Sequence, residues 1–177
     1  MYSNKQKKGL PLISVIVPTY NRGYIITQAL QSIYSQTFQD FEIIVVDDGS
    51  TDNTRQIVTK IADDRLRYIK HEKNKGLASA LTTGFKAARA DFLAELSTDD
   101  TWIQNTYLSK TYEALSHSPE DIGAVYTGML KEHINGSENL TPPADLEKKE
   151  GMLYEEFLKQ NFTGFQARSI RKSWRCQ

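Results

Sequence analysis

Cysteine is nearly absent. Cys176 is the single one, which excludes a disulfide framework and points to a reducing compartment. Net charge is absent too. Lys+Arg and Asp+Glu both number 22, so broad electrostatic attachment to nucleic acid or to an anionic membrane is not expected. No apolar stretch approaches the about 18 residues that a membrane-spanning helix needs. The basic opening MYSNKQKKG runs into LPLISVIVP, which is short and broken by Pro11 and Pro18. It reads as a strand behind a polar tail rather than a signal peptide, and the expected location is cytoplasmic. His71, His117 and His133 have no ligand spacing with one another or with Cys176, which argues against zinc. No G-x-G-x-x-G follows the first apolar run, so a dinucleotide-binding domain is set aside. Asn135, Asn139 and Asn161 open N-x-S/T triplets that a cytosolic reading leaves as chance matches.

What is present suits one globular domain: 177 residues, 39% hydrophobic and 25% charged, enough for a sizeable core. LISVIVP (12–18), FEIIVVD (41–47), LRYIK (66–70), DFLAEL (91–96) and IGAVYTG (122–128) read as strands. Between them apolar residues recur at helical spacing: Ile25, Ile26, Ala29, Leu30, Ile33 and Tyr34; Ile57, Val58, Ile61 and Ala62, with Ser50 as the expected cap; and Leu77, Ala80, Leu81, Gly84, Phe85 and Ala88. A tyrosine-rich helix is expected over 103–116. Strands alternating with helices predict an α/β fold, a mostly parallel open sheet with helices on both faces. Parallel sheets bury both faces, which accounts for the unalternated run Ile43 to Val46. We expect a polar tail over 1–10, an α/β domain over 11–130, a polar loop over 131–151 containing Pro142-Pro143, and a last region over 152–177. That region reads as a helix and then the start of a strand, without a closing element.

Three expected strand ends carry polar clusters: PTYNR (18–22), DDGS (47–50) and STDD (97–100). In an open parallel sheet all three face one crevice at the carboxyl ends of the strands. Each has a plain alternative. Asp-Asp-Gly makes turns, Thr-Asp-Asp caps helices, and Pro-Thr-Tyr-Asn-Arg could be a loop with a helix start. Their joint occurrence on one edge favours a site. A carboxylate accepts from a uracil N–H or a ribose hydroxyl, a tyrosine stacks on a base, and a carboxylate pair holds a hard divalent cation through oxygen. Such a cation would neutralise a departing pyrophosphate.

The segments PLISVIVPTYNRG, QSIYSQTFQDFEIIVVDDGSTDNT and RLRYIKHEKNKGLASALTTGFKAARADFLAELSTDDTW, in that order, resemble the amino-terminal half of a family 2 glycosyltransferase. The resemblance covers about residues 11 to 130, with a weaker likeness to about 170. It implies the GT-A fold and inverting transfer from a nucleotide-diphosphate sugar, UDP-linked by preference, to a saccharide or lipid-linked acceptor. Pro18, Thr19, Tyr20 and Arg22 would line the nucleobase and ribose pocket. Asp48, with Asp47 nearby, would accept from the base. Asn74, Lys75 and Gly76 fall where the family passes the diphosphate or ribose. Asp99 and Asp100 fall at its metal motif, implying Mg2+ or Mn2+. A peripheral place at the inner membrane face is compatible with such acceptors.

The chain departs from the family pattern in three places. L-D-x-D-D becomes Leu96-Ser97-Thr98-Asp99-Asp100, and the Arg-Asn pair usual in the helix after Gly76 becomes Leu81-Thr82. The resemblance also implies a carboxylate base downstream of Gln177, and no acidic residue follows Glu156, so the expectation is an abbreviated chain lacking the acceptor half. A non-catalytic nucleotide-binding module is the competing reading. A phosphoacceptor receiver domain is set aside, because it needs its acidic pair after strand 1, where Pro-Thr-Tyr stands. Lys70, Lys73 and Lys75 read as a solvated loop, and RSIRKSWR (168–175) as a basic, solvated segment.

Overall fold

The computed structural model describes residues 9–117, 124–126, 129–133, 136–140 and 168–171. The two most branched runs form its centre. β1 (Ile13–Thr19) and β2 (Phe41–Asp47) are buried at every position, as a parallel strand covered on both faces must be. β3 (Leu66–Lys70) pairs parallel with β2, and β4 (Phe92–Glu95) pairs parallel with β1 on the other side. Two further strands, β5 (Ala124–Tyr126) and β8 (Arg168–Arg171), complete the sheet. Its order is β3-β2-β1-β4-β8-β5, with β8 antiparallel to both of its neighbours. The basic 168–175 segment thus supplies a strand between β4 and β5. The helix expected before it lies outside the described residues.

Strand side chains alternate between two cores. Val15, Val17, Ile43, Val45, Phe92 and Ala94 share one cluster with α1 (Ile26–Tyr34), with Val58 of α2 (Thr54–Thr59) and with Leu108 and Leu115 of α4 (Tyr107–His117). On the opposite face Ile16, Ile44, Val46 and Leu93 cluster with Ala80 of α3 (Leu77–Ala87) and with Ala88. Each Val, Leu or Ile among them contributes about 1.5–3 kcal/mol when buried. α3 lies tight on the sheet because Gly84 has no side chain; a Cβ there would stand 2.3 Å from Ile16 Cγ2. The tyrosines of α4 pack among other aromatic rings. Tyr107 stacks on Trp102 at 4.4 Å between centroids, and Tyr112 contacts Phe38 and Phe92.

Near the amino edge, on the α3 side, β2 buries a charge. Glu42 accepts from the Ser14 hydroxyl at 2.7 Å, from Arg67 at 3.1 Å, and from the Arg89 side chain and amide at 2.9 and 2.8 Å. Burial alone would push its carboxyl up. The Arg89 amide, Ser14 and Arg67 outweigh that and hold it below the ordinary carboxylate value.

Several expectations are corrected. Ser50 does not cap α2. The helix begins at Thr54, and the Ser50 hydroxyl accepts from the Asn21 amide instead. Because α2 ends at Thr59, Ala62 is exposed rather than inward-facing. Leu77, on the expected α3 stripe, is 58% exposed. The helix expected over 103–116 starts only at Tyr107. In the stretch expected as a polar loop over 131–151, residues 131–133 and 136–140 belong to an antiparallel pair, β6 (Met129–His133) with β7 (Gly136–Leu140).

Candidate active site

β1 lies between β2 and β4, and the chain leaves it toward β2 but returns through β3 to the far side as β4. The crevice beyond the ends of β1 and β4 is therefore the topological switch point of the sheet. Thr19, the last residue of β1, stands in register with Asp47, and the Leu96 amide donates to the Ile16 carbonyl. The segments 18–22, 47–50 and 97–100 thus share one edge. The 71–76 segment, following β3, joins them through Asp48.

The loops after β1 and β2 are zipped together. Asn21, in the left-handed region at φ 52° that asparagine tolerates, donates its amide to Ser50 Oγ at 2.8 Å, and its Oδ1 accepts from the Thr51 amide at 2.9 Å. The Arg22 amide donates to Thr54 Oγ1 at 3.2 Å, and the Gly23 amide to Asp52 Oδ2 at 3.0 Å. Burial would raise the Asp52 carboxyl, but the Thr54 hydroxyl and amide and the Gly23 amide hold it below its ordinary value. Asn21, Arg22 and Ser50 stand in the polar clusters marked by sequence, but their partners Thr51, Asp52 and Thr54 do not, and none of the bonds between the two loops is evident from sequence. The only local signal was a density of Asn, Ser, Thr and Asp, residues that bond nearby backbone.

The two aspartates at the end of β2 divide their work. Asp47 is fully buried; its Oδ1 accepts from the Ser50 amide at 2.7 Å and its Oδ2 from the Tyr68 hydroxyl. Burial, and then Asp47, push the Tyr68 hydroxyl well above its ordinary value. Asp48 reaches the other way. Its Oδ1 accepts from the Lys75 amide at 2.9 Å and faces His71 Nδ1 at 2.7 Å, while Oδ2 accepts from the Gly76 amide at 2.7 Å. Burial would raise the Asp48 carboxyl, but His71 and the two amides hold it below the ordinary range. The 72–76 loop therefore hangs from Asp48. Asn74, Lys75 and Gly76 are themselves exposed, and Asn74 Oδ1 accepts a second bond from the Gly76 amide at 3.0 Å.

Around this scaffold stand groups with unfilled capacity. Pro18 is buried, Arg22 is half-buried, and Tyr20 is 42% exposed at the crevice edge. Thr19 Oγ1 is buried without a hydrogen-bond partner. Asp99 is exposed, whereas Asp100 is half-buried, with Oδ2 buried and unpartnered. Burial, and then the Asp99 charge, push the Asp100 carboxyl up to about 6. A carboxylate left dry beside another carboxylate fits a hard cation, which would remove both penalties. Among the described residues no group of three or more His, Cys, Asp or Glu could hold a metal alone. Two carboxylates suit Mg2+ or Mn2+, since such ions commonly take their remaining ligands from substrate phosphates and water. Of the family departures, Leu81 packs on the α3-side core and the Thr82 hydroxyl donates to the Ala78 carbonyl of its own helix at 2.8 Å, whereas Ser97, half-buried, lies in the 97–100 segment at the crevice.

The chain is similar to known proteins. The chain is 40% identical over 94 residues, 53% of its length and 37% of the other, to the UDP-Glc:alpha-D-GlcNAc-diphosphoundecaprenol beta-1,3-glucosyltransferase WfgD of Escherichia coli. Among solved structures, S. aureus TarS 1-349 in complex with UDP-GlcNAc superposes with a TM-score of 0.68 at 28% identity, covering 91% of this chain and 45% of that one. The mannosyltransferase PcManGT from Pyrobaculum calidifontis, in complex with GDP-Man and Mn2+, superposes with a TM-score of 0.60 at 29% identity, covering 68% and 36%. The chain spans about half or less of the length of the curated relatives it matches first. The model of the Glycosyl transferase family 2 matches residues 14–172, and the chain belongs to that family.

Proposed function

We propose that this chain is the donor-binding part of an inverting glycosyltransferase that takes a nucleotide-diphosphate sugar, UDP-linked by preference, with Mg2+ or Mn2+ at Asp99 and Asp100. The observation that carries this reading is the unpartnered, buried Asp100 Oδ2 beside Asp99 at the switch point of the sheet. A divalent ion bound there would supply neutralisation of the diphosphate as it departs.

The chain's own residues would select and hold the donor. Asp48 is ionised, and an ionised carboxylate only accepts. Three of its about four lone-pair directions are filled by His71, Lys75 and Gly76. The remaining direction suits a base with a ring N–H on its pairing edge, uracil or guanine, better than cytosine, whose ring nitrogen there is an acceptor and whose only donor is the exocyclic amine. Tyr20 would stack on the base, while Pro18, Thr19 and Arg22 would line its pocket and that of the ribose. The exposed Asn74–Gly76 segment would pass the ribose or diphosphate. In the reaction the acceptor oxygen bonds to the anomeric carbon as the bond to the diphosphate breaks on the opposite face, and the acceptor proton passes to a base. None of the described carboxylates is assigned that role.

The named relative acts on a diphosphoundecaprenol-linked sugar. By that analogy we propose a saccharide or lipid-linked acceptor, a part in cell-surface polysaccharide synthesis, and a cytoplasmic place at the inner membrane face. Among the described residues no helix is long and apolar enough to cross a membrane. Calorimetric titration of UDP tests the reading: binding in Mn2+ that disappears in EDTA is expected, and absence of binding in both would overturn it. Binding without transfer to any lipid-linked acceptor would instead favour a nucleotide-binding module.

A further inference from the structure

His71 is 7% exposed and joins the end of β2 to α3. Its Nδ1 lies 2.7 Å from Asp48 Oδ1, and its Nε2 lies 2.9 Å from Thr83 Oγ1 on α3. An ionised carboxylate can only accept, so Nδ1 carries the proton and donates. In the neutral ring Nε2 then accepts from the Thr83 hydroxyl. Each ring nitrogen is satisfied, and the ring has one orientation. Asp48 in turn holds the Lys75 and Gly76 amides, and Gly49 supports the same loop from below. The chain of contacts runs from α3 through Thr83, His71 and Asp48 to the loop.

We propose that His71 is a positioning residue for donor binding, fixing the Asp48 carboxylate so that one acceptor direction stays aimed at the base and the 72–76 loop stays in place beneath the donor. The inference rests on the donor reading above. It differs from a packing role in a way that can be measured, because what matters is a donor at the Nδ1 position and not the volume of the ring.

The test uses the full chain in three forms: wild type, His71→Leu and His71→Asn. The asparagine amide can donate from where Nδ1 stands but cannot reach Thr83. Two readouts are taken, UDP affinity in Mn2+ by calorimetry and amide hydrogen exchange by NMR. His71→Leu is expected to weaken UDP by about tenfold or more, and to speed exchange at Lys75 and Gly76 while the Val45 amide of β2 stays protected. His71→Asn is expected to recover UDP affinity to within about threefold of wild type. Equal impairment of both variants would overturn the proposal, since the hydrogen bond would then be irrelevant. Unchanged UDP affinity in His71→Leu would overturn it as well, as would exchange that speeds equally in β2, the mark of a general structural role. If wild type binds no UDP, the donor reading and the positioning role fall together. The exchange data would still report whether His71 orders the loop, so failure at His71 alone is distinguishable.

Discussion

Gly49 lies so close to Lys73 that a Cβ on it would stand 2.6 Å from the Lys73 carbonyl carbon, and its φ of +82° is one that L side chains rarely adopt. Both facts require glycine. A side chain here would strain the backbone and push the 72–76 loop off the end of β2. Gly49→Ala is therefore expected to cost about 2 kcal/mol or more in stability and to weaken UDP binding further than that loss alone explains. Chemical denaturation together with calorimetry under folding conditions checks both; unchanged values would show that the loop is not seated on Gly49.

Asp100→Asn should move stability and metal binding in opposite directions. In the folded chain the Asp100 carboxyl keeps its proton up to about 6, whereas its ordinary value is 3.8. Between those values the folded state binds more protons than the unfolded one, so stability falls as pH rises through that window. Removing the charge should raise stability at pH 7 by about 1–3 kcal/mol and change it little below pH 4. The same substitution should reduce Mn2+-dependent UDP affinity by about tenfold or more. Thermal melts at pH 4 and pH 7, paired with calorimetry, separate the two effects.

Glu42 gives the opposite pH sign. Its folded carboxyl is held below the ordinary 4.5, so its contribution is present above that value and is lost as pH falls below it. Glu42→Gln should cost about 2 kcal/mol near neutral pH by leaving Ser14, Arg67 and Arg89 donors poorly matched. It should also flatten the acid limb of a stability–pH curve below about pH 4.5. UDP affinity measured above pH 6 is expected to remain at the wild-type level, since Glu42 lies toward the amino edge of the sheet.

Base preference follows from the acceptor-only state of Asp48. UDP and GDP should compete for the site, each able to donate a ring N–H, whereas CDP presents an acceptor there and should bind about tenfold or more weakly. Asp48→Asn, which can turn a donor toward the base, should narrow the gap between UDP and CDP. Competition calorimetry in Mn2+ checks this; equal affinities for UDP and CDP would place the base contact elsewhere.

Much of this arrangement is legible from local patterns. Ile43 to Val46 announce a strand covered on both faces because no polar residue interrupts them, and Ala29, Leu30 and Ile33 mark α1 because helical spacing puts them on one side. Asp47 and Asp48 are placed at the end of β2 by the same run. What the pattern does not carry is which partner each polar group finds across the fold. Ser50 looks like a helix cap because its hydroxyl is near a helix; it goes to Asn21, 29 residues away. His71 looks idle because its partners, Asp48 and Thr83, are joined to it only by folding. Residues 131–140 fall in a stretch that reads as loop because of its polarity, yet the β6–β7 pair needs only backbone bonds between its strands.

The place of β8 bears on how the chain comes off the ribosome. β3, β2, β1 and β4 lie within the first hundred residues and pair with one another, so they can assemble while synthesis continues. β5 pairs with β8, which is translated only after a long intervening segment. Until β8 emerges, the exposed side of β4 and the whole of β5 offer unpaired backbone to any neighbouring strand. A nascent chain stalled before residue 168 would thus present an open sheet edge to chaperones, and co-translational capture should end once that stretch has left the exit tunnel.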